Sequence, residues 1–273
     1  MGENELAAKK EQAREAFGEA LAHFNGWRGR EHSPSKATEL MERAADLGSS
    51  EAMVSLGEWY LSEALGAPDR GQAKAWFQRA AEADDADGEF NLGMLAEEDG
   101  DFVEAALRYQ KALDGKHDDG ACGLARLMLE GNGIPQDIAA ALDILELASS
   151  EYDSAEADYL LGVLYGEGKF VEQDRKRAGG QFYMAAHEGH VLAQMRYGES
   201  AETGYGDPEA PLDAYVWTHV ALEHLPAAMK PRAEATLARI ASSMTPETRT
   251  LADAEAQKMR FNSVLPVRPS LRV

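Results

Sequence analysis

The sequence predicts an all-α protein, a right-handed α/α superhelical solenoid in which antiparallel helix pairs repeat along the chain. Three observations support this prediction. A Leu-Gly landmark recurs at spacings of 32 to 37 residues, alanines recur in step with it, and glycine turns such as GNG at 131–133 end some of the segments. A repeat of this length accommodates two helices, so the chain is predicted to be one continuous array without a second core.

The second helix of each unit, called helix B, is predicted from the spacing of its alanines. Alanines seven residues apart, with a large residue four positions after the first, lie on one face of a helix. The six pairs are Ala37 and Ala44, Ala73 and Ala80, Ala105 and Ala112, Ala141 and Ala148, Ala178 and Ala185, and Ala214 and Ala221. The residue between them is large and apolar in five segments and is Thr218 in the sixth.

The first helix of each unit, called helix A, carries the landmark residue near its middle. The landmark positions are Gly57, Gly93, Ala125, Gly162 and Gly198. A glycine inside a helix costs about 1 kcal/mol relative to alanine, so we expect a neighbouring helix to approach closely at these positions. Gly166 and Gly168 are then predicted to be turn residues. A phosphate-binding loop is not predicted there, because no strand precedes the glycines and no Lys-Ser or Lys-Thr follows them.

The two ends of the chain depart from the repeat. Thr245 and Pro246 provide an N-cap and a proline at the first position of a last helix. The final residues contain two prolines and two arginines and are predicted to be extended. The resulting division is an N-terminal capping helix with a linker, the repeat array, C-terminal capping helices and a tail, at 1–33, 34–225, 226–260 and 261–273.

These patterns resemble the Sel-one-like repeat family, a relative of the tetratricopeptide repeat. Ala-x-x-x-Leu-Gly-x-x-Tyr stands at 52–60 and 157–165, Trp-Phe-x-x-Ala-Ala at 76–81, and AAHEGHVLAQMRYG at 185–198. The resemblance covers roughly residues 34–260. It implies a noncatalytic interaction scaffold or adaptor of bacterial type, with a role in signalling, secretion, envelope processes or toxin neutralisation.

In related repeats one side of helix A lines the concave groove of the superhelix, so the resemblance implies a binding surface there. A rotation of about 100° per residue from each landmark gathers offsets −6, −3, +1, +4 and +5 on that side. The predicted groove residues are Glu51, Val54, Glu58, Phe90, Met94, Glu97, Glu98, Arg126, Tyr159, Val163, Glu167, Met195, Glu199 and Glu202. Apolar and acidic residues alternate among them, which predicts a protein or peptide partner with apolar anchors and basic flanks.

Net charge and hydropathy exclude other partner classes. The net charge of −21, from 48 acids and 27 bases, makes binding to phosphates unfavourable, so nucleic acid is not a predicted partner. No segment approaches the roughly 18 uninterrupted apolar residues of a membrane span. We expect a monomer, with a homodimer as the alternative. The expected location is the cytoplasm, because no signal peptide is seen, or the periplasm if a signal was removed.

No group of residues predicts catalysis, a metal site or a cofactor. His187 and His190 stand three apart, but they occupy turn positions that carry ordinary polar residues in other units. Cys122 is the one cysteine and is expected to be a small helix residue. Ser33 to Lys36 fits Ser-x-x-Lys, but the companion motifs of β-lactam-related hydrolases are missing. Such a hydrolase and a purely architectural spacer are the alternatives to a scaffold.

Overall fold

The protein is described by a computed structural model that covers residues 3–202 and 211–262. Within these ranges every regular element is helical, with fourteen α-helices and one short 3₁₀ helix at Glu63–Leu65. The all-α prediction is confirmed. None of these helices is both long and apolar enough to cross a membrane. By its contacts the chain divides into two compact units, Met1–Gln136 and Asp137–Val273, which are described separately.

The first unit contains seven α-helices, and each packs against the next along the chain. In order they are α1 (Glu3–Asn25), α2 (Pro34–Asp46), α3 (Ser50–Leu61), α4 (Arg70–Glu82), α5 (Ala86–Glu98), α6 (Phe102–Asp114) and α7 (Asp118–Glu130). The predicted helix-B segments are α2, α4 and α6, and the predicted helix-A segments are α3, α5 and α7. Helix α5 also contacts both α3 and α7, so the helix-A segments of this unit are neighbours.

The second unit also contains seven α-helices. They are α8 (Ile138–Tyr152), α9 (Ala155–Glu167), α10 (Arg175–His187), α11 (Val191–Glu202), α12 (Pro211–His224), α13 (Lys230–Ser243) and α14 (Pro246–Asn262). Helix B is represented by α8, α10 and α12, and helix A by α9 and α11. Thr245 caps α14 as predicted, with its Oγ1 accepting from the Thr248 N–H at 3.2 Å. The first two residues of the predicted tail belong to α14, and 263–273 lie outside the described residues.

Side-chain caps explain where the helices begin. Nine consecutive α-helices, α2 to α10, start after a residue whose side chain accepts a hydrogen bond from the backbone of the first turn. The capping residues are Ser33, Ser49, Asp69, Asp85, Asp101, His117, Asp137, Ser154 and Asp174. Aspartates at these positions satisfy free N–H groups and also complement the positive end of the helix dipole. Part of the acidity of the chain therefore has a structural cause.

The four landmark glycines lie where helix A touches helix B, as predicted. A Cβ at any of them would lie less than 3.0 Å from the side chain midway between the helix-B alanines. The pairs are Gly57 with Phe77, Gly93 with Tyr109, Gly162 with Phe182 and Gly198 with Thr218. All four of these partner side chains are buried. The absence of a side chain on helix A thus provides the space that a large core side chain of helix B occupies.

The glycines after the fourth landmark differ from each other. Gly168 has φ +67° and ends α9 in the left-handed conformation, so its prediction as a turn residue is confirmed. The same prediction for Gly166 is wrong, because α9 continues to Glu167. A Cβ on Gly166 would lie 3.6 Å from the Ala178 Cβ, which is ordinary van der Waals contact.

We predict that Gly162→Ala lowers the free energy of unfolding by about 1 to 3 kcal/mol, because the added Cβ would overlap the Phe182 ring. The matched control is Gly180→Ala in α10, where a Cβ would meet nothing within 4 Å. This control should raise the free energy of unfolding by about 0.5 to 1 kcal/mol through helix propensity alone. Urea denaturation of dilute protein measures both values. Equal stabilities for the two variants would contradict the assignment of the landmark glycines to helix contacts.

Candidate interaction surface

The predicted groove residues fall into two groups, one in each unit. Those of the first unit lie on α3, α5 and α7, which are neighbours. They are Glu51, Val54, Glu58, Phe90, Met94, Glu97, Glu98 and Arg126. Those of the second unit lie on α9 and α11 and are Tyr159, Val163, Glu167, Met195, Glu199 and Glu202. The side chain of Glu202 lies outside the described residues.

Three predicted apolar anchors are buried, so their prediction as exposed groove residues is wrong. Val54, Phe90 and Met195 are 6%, 9% and 1% exposed. Each stands three residues before its landmark glycine, and this position faces a neighbouring helix rather than solvent. Met195, for example, packs against Ala221 and Ala233, the latter on α13. Tyr159 holds the same position in its unit and is half-buried.

Phe90 is covered by the ring of His117, which begins the next helix A. The two ring centroids are 4.4 Å apart and the planes differ by 19°. His117 Nδ1 accepts from the Gly120 N–H at 3.1 Å, and His117 Nε2 lies 3.2 Å from Asp87 Oδ1. Because Nδ1 accepts a hydrogen bond, the proton of the neutral ring lies on Nε2 and faces the carboxylate. One imidazole thus caps α7, stacks on α5 and contacts an acid of α5.

Tyr159 and His190 repeat this arrangement in the second unit. Their centroids are also 4.4 Å apart with planes 19° apart. His190 Nδ1 accepts from the Ala193 N–H at 3.1 Å, and Nε2 lies 2.9 Å from Glu156 Oε2. Both ring nitrogens of His190 are therefore engaged, whereas the ring of His187 contacts Tyr183 and Trp217. The contacts of His190 give it a structural role in linking α9 to α11.

One group of possible metal ligands occurs among the described residues. Candidate ligand atoms of His117, Asp118 and Asp119 lie within 4.8 Å of one another at the start of α7. The two nitrogens of His117 already face the Gly120 N–H and Asp87. Carboxylates in the first turn of a helix complement its dipole. Helix capping accounts for this cluster without a metal ion.

Glu97 and Arg126 form an ion pair between α5 and α7. The Tyr109 hydroxyl donates to Glu97 Oε2 at 2.7 Å, and both terminal guanidinium nitrogens of Arg126 donate to the same carboxylate. Burial raises the pKa of Glu97, but the hydrogen bonds from Arg126 and Tyr109 outweigh it, so the net pKa is lowered. Burial, together with Glu97, raises the pKa of the Tyr109 hydroxyl. This pair therefore contributes no net charge to the surface.

Arginines of other helices pair with two further predicted acids. Glu98 accepts from Arg70 on α4, which also donates to the Leu95 carbonyl at 2.6 Å. Glu199 accepts from Arg232 on α13, with 2.7 Å between Arg232 Nη2 and Glu199 Oε2. The acidic character of the predicted groove is thus partly neutralised by the protein's own side chains.

Two acids on α3 retain uncompensated charge. Glu51 and Glu58 are exposed, and within the described part of the chain neither forms an ion pair. Although the Glu58 side chain is exposed, protein atoms around its carboxylate partly desolvate it and raise its pKa, and the negative charge of Asp87 on α5 adds to this effect. Met94 of α5 is half-buried and leaves some apolar surface on the same side. We call Glu51, Glu58 and Met94 the helix-A surface of the first unit.

The exposed apolar side chains lie mostly elsewhere. Among the described residues, large apolar side chains on the surface of helix-B segments include Val103 and Leu107 of α6, Leu147 of α8, and Tyr183 and Met184 of α10. The sequence analysis missed them because it examined only the core side of helix B. The sequence could have identified them, because these apolar residues lie outside the alanine and central positions that define the core side of helix B.

A family model of the Sel1 repeat matches residues 18–49, 50–85, 118–153 and 155–190, just over half of the chain. The unmatched segment 86–117 contains α5 and α6, which form the same kind of helix pair. Only three residues, Asp99 to Asp101, separate these two helices. The short connection makes this unit shorter than its neighbours and accounts for its departure from the repeat pattern.

Known proteins with similarity to the chain include one curated relative and two solved structures. The Sel1-repeat-containing protein YjcO of Escherichia coli K12 is 29% identical over 142 residues, which is 50% of this chain and 60% of the relative. The chain thus spans less than two thirds of that relative. The c5321 protective antigen of uropathogenic E. coli strains, which displays an SLR fold, has a TM-score of 0.73 and 19% identity over 96% of this chain and 58% of its own.

The immunity protein Pa5087 from Pseudomonas aeruginosa is the second solved structure. Its TM-score is 0.52 with 17% identity, and the match covers 94% of this chain and 90% of that chain. At these identities the two solved structures establish a shared fold. The prediction of a solenoid of Sel-one-like helix pairs is confirmed.

We predict that Glu97→Gln destabilises the protein by about 1 to 3 kcal/mol at pH 7, because it leaves Arg126 without a carboxylate. Folding lowers the pKa of Glu97, so its contribution to stability is present above the unfolded-state pKa of about 4.3. That contribution is lost as the pH falls through the lower pKa of the folded state. The stability difference between parent and variant should therefore shrink in acid, as measured by urea denaturation from pH 7 to pH 3.

Glu98→Gln is the control for this variant, since Glu98 is adjacent and pairs with Arg70 at the exposed surface. Its effect should stay below about 1 kcal/mol. A Glu97→Gln effect that is independent of pH, or no larger than that of Glu98→Gln, would show that the partly buried pair is not a source of stability.

Proposed function

The chain belongs to the Sel1 repeat family, and we propose that it acts as a noncatalytic scaffold that binds another protein on the helix-A surface of its first unit. Sel1 repeat solenoids commonly serve as protein-interaction scaffolds. The similar fold of a protein described as an immunity protein, Pa5087, supports the proposal of a binding role. The proposed partner is a protein or peptide segment with basic and apolar side chains.

The observation that carries this proposal is the unpaired charge of Glu58. Glu97 and Glu98 of α5 have arginine partners, whereas Glu58 lies close to Asp87 and has no cation beside it within the described residues. The surrounding protein partly desolvates its carboxylate, so a lysine or arginine brought by a partner would interact more strongly there than at an open surface. The partner's cation would relieve the repulsion between Glu58 and Asp87.

Apolar contacts in the proposed interface come from fewer residues than the sequence suggested. Within the first unit, Met94 of α5 is half-buried and provides the apolar contact of the proposed interface. In the second unit, taken by itself, Tyr159 and Val163 of α9 are half-buried. Phe90 and Met195 are not proposed as anchors, because neighbouring helices and side chains cover them. The acids Glu167 and Glu199 lie near Arg196, so the second unit presents charges of both signs.

The proposal includes no catalytic step. Cys122 is buried, and Ser33 uses its hydroxyl as the N-cap of α2 while Lys36 Nζ donates to Glu39 at 2.8 Å. These contacts give the Ser-x-x-Lys sequence a structural role.

Sustained nitrocefin hydrolysis by the purified protein would favour the hydrolase alternative, and failure to capture any partner would favour the spacer. The proposed location is the cytoplasm, or the periplasm if a signal was removed.

We predict that Glu51→Lys/Glu58→Lys slows association with a captured partner by about tenfold or more at low salt, because charge complementarity steers encounter. The partner would first be identified by affinity capture and mass spectrometry, and rates would then be measured by biolayer interferometry. The effect should decrease at high salt, where exposed charges are screened.

The matched control is Glu82→Lys/Asp114→Lys, which makes the same charge change at exposed helix-B residues of the same unit. It should leave the association rate within about twofold of the parent, since these residues lie outside the proposed surface. If the control pair slows association and the α3 pair does not, the partner binds on the helix-B side and the proposed surface is wrong.

A further inference from the structure

Helix α10 differs from the other α-helices in charge. Among the α-helices of residues 3–202 and 211–262, it alone contains no aspartate or glutamate. Its first turn carries Arg175, Lys176 and Arg177. Two copies of a chain with net charge −21 repel each other over most of their surfaces. A helix without acids is therefore a place where two copies could meet with little electrostatic cost.

The solvent side of α10 is also apolar in its middle. Tyr183 and Met184 are 36% and 55% exposed, and His187 is exposed at the end of the helix. Lys176 and Gly180 precede them on the same helical face at spacings of three, four and seven residues. We call these five residues the α10 face. Tyr183 contacts Tyr197 of α11 and His187 contacts Trp217 of α12, so these helices flank the His187 end of the face. The exposure of Met184 and the open space above Gly180 leave its middle uncovered by described residues.

Among the described residues, nothing packs against Gly180 on this face. A Cβ there would meet nothing within 4 Å, in contrast to the landmark glycines. A glycine inside a helix still costs about 1 kcal/mol relative to alanine. Glycine at a helix surface allows another helix to approach to about 8 Å between axes. The open space above Gly180, beside the exposed Tyr183 and Met184, therefore suits the close approach of a helix from another molecule.

We propose that the α10 face binds the same face of a second copy of this chain, in a two-fold symmetric pair of antiparallel α10 helices. A two-fold axis near residue 182 places Gly180 opposite the partner's Met184. The flexible methionine side chain would fill the space that the glycine leaves. Because the arrangement is symmetric, each such contact occurs twice.

Charge complementarity favours the second copy as the occupant. The same axis places Lys176 opposite the partner's Glu188, the residue that follows α10. Both residues are exposed, and within the described residues neither forms an ion pair. Lys176 in the face and Glu188 just beyond it thus provide both halves of a salt bridge at positions related by the two-fold axis. A contact made mainly by one helix from each copy is small, so a dissociation constant on the order of 10 to 100 µM is expected.

Sedimentation velocity over a concentration series tests the dimer directly. The parent should show reversible, concentration-dependent association, and Met184→Ala should raise the dissociation constant about tenfold. Lys176→Glu alone and Glu188→Lys alone should each weaken association by about tenfold or more, since like charges then face each other twice. Helical circular dichroism would establish that each variant folds. A parent protein that stays monomeric up to about 500 µM would overturn the proposal.

Mixing the two charge variants separates direct contact from indirect effects. A Lys176→Glu chain presents acids at both positions and a Glu188→Lys chain presents bases at both, so the mixture should form a heterodimer about as strong as the parent dimer. Lys74→Glu, the same change at an exposed lysine of α4, is the control and should not alter association. Failure of the mixture to restore association, or an equal loss with Lys74→Glu, would overturn the assignment to the α10 face.

Discussion

The close contact between the landmark glycine of helix A and a large side chain of helix B is the interaction on which the rest of the structure depends. Phe77 and Tyr109 occupy the space that Gly57 and Gly93 leave, and a Cβ at either glycine would clash with the ring. This contact determines how closely the two helices of a unit approach. It also fixes which side of each helix A faces its helix B, so only the remaining sides are available to other helices or to a partner.

Helix capping and ion pairs between helices explain part of the acidity of the chain. Aspartates cap five of the nine consecutively capped helices, and Glu97, Glu98 and Glu199 are held by arginines of other helices. Part of the negative charge therefore maintains helix ends and helix contacts. The acids available to bind a partner are those that have no such internal partner. Glu58 is informative for that reason, because burial and Asp87 raise its pKa where a paired carboxylate would have it lowered.

The helices could be predicted from the sequence, but the side chains that each helix exposes to solvent could not. Small residues that recur in step encode the contact between helix A and helix B, so their positions predicted the repeat helices, and the Thr-Pro pair at 245–246 predicted the start of α14. A helical wheel contains no information about the next helix A, so it placed Val54 and Met195 in solvent although neighbouring helices bury them. The pairing of Glu97 with Arg126, 29 residues away, likewise depends on how successive helices stack. The predicted groove residues are divided between the two compact units, so a single groove formed by all of them stays a prediction.

The two stacked histidines show how successive helix-A segments are linked. Each unit uses a carboxylate, an aromatic ring and a capping histidine, and the replacement of Phe90 by Tyr159 leaves the ring separation unchanged at 4.4 Å. The same geometry with different side chains indicates that helix packing is sufficient to hold the arrangement. Residues that resemble metal ligands or binding anchors in the sequence therefore serve the framework. Binding is then expected where a group has no partner among the packed helices. Glu58 offers a carboxylate without a cation beside it, and Gly180 offers open space beside exposed apolar side chains.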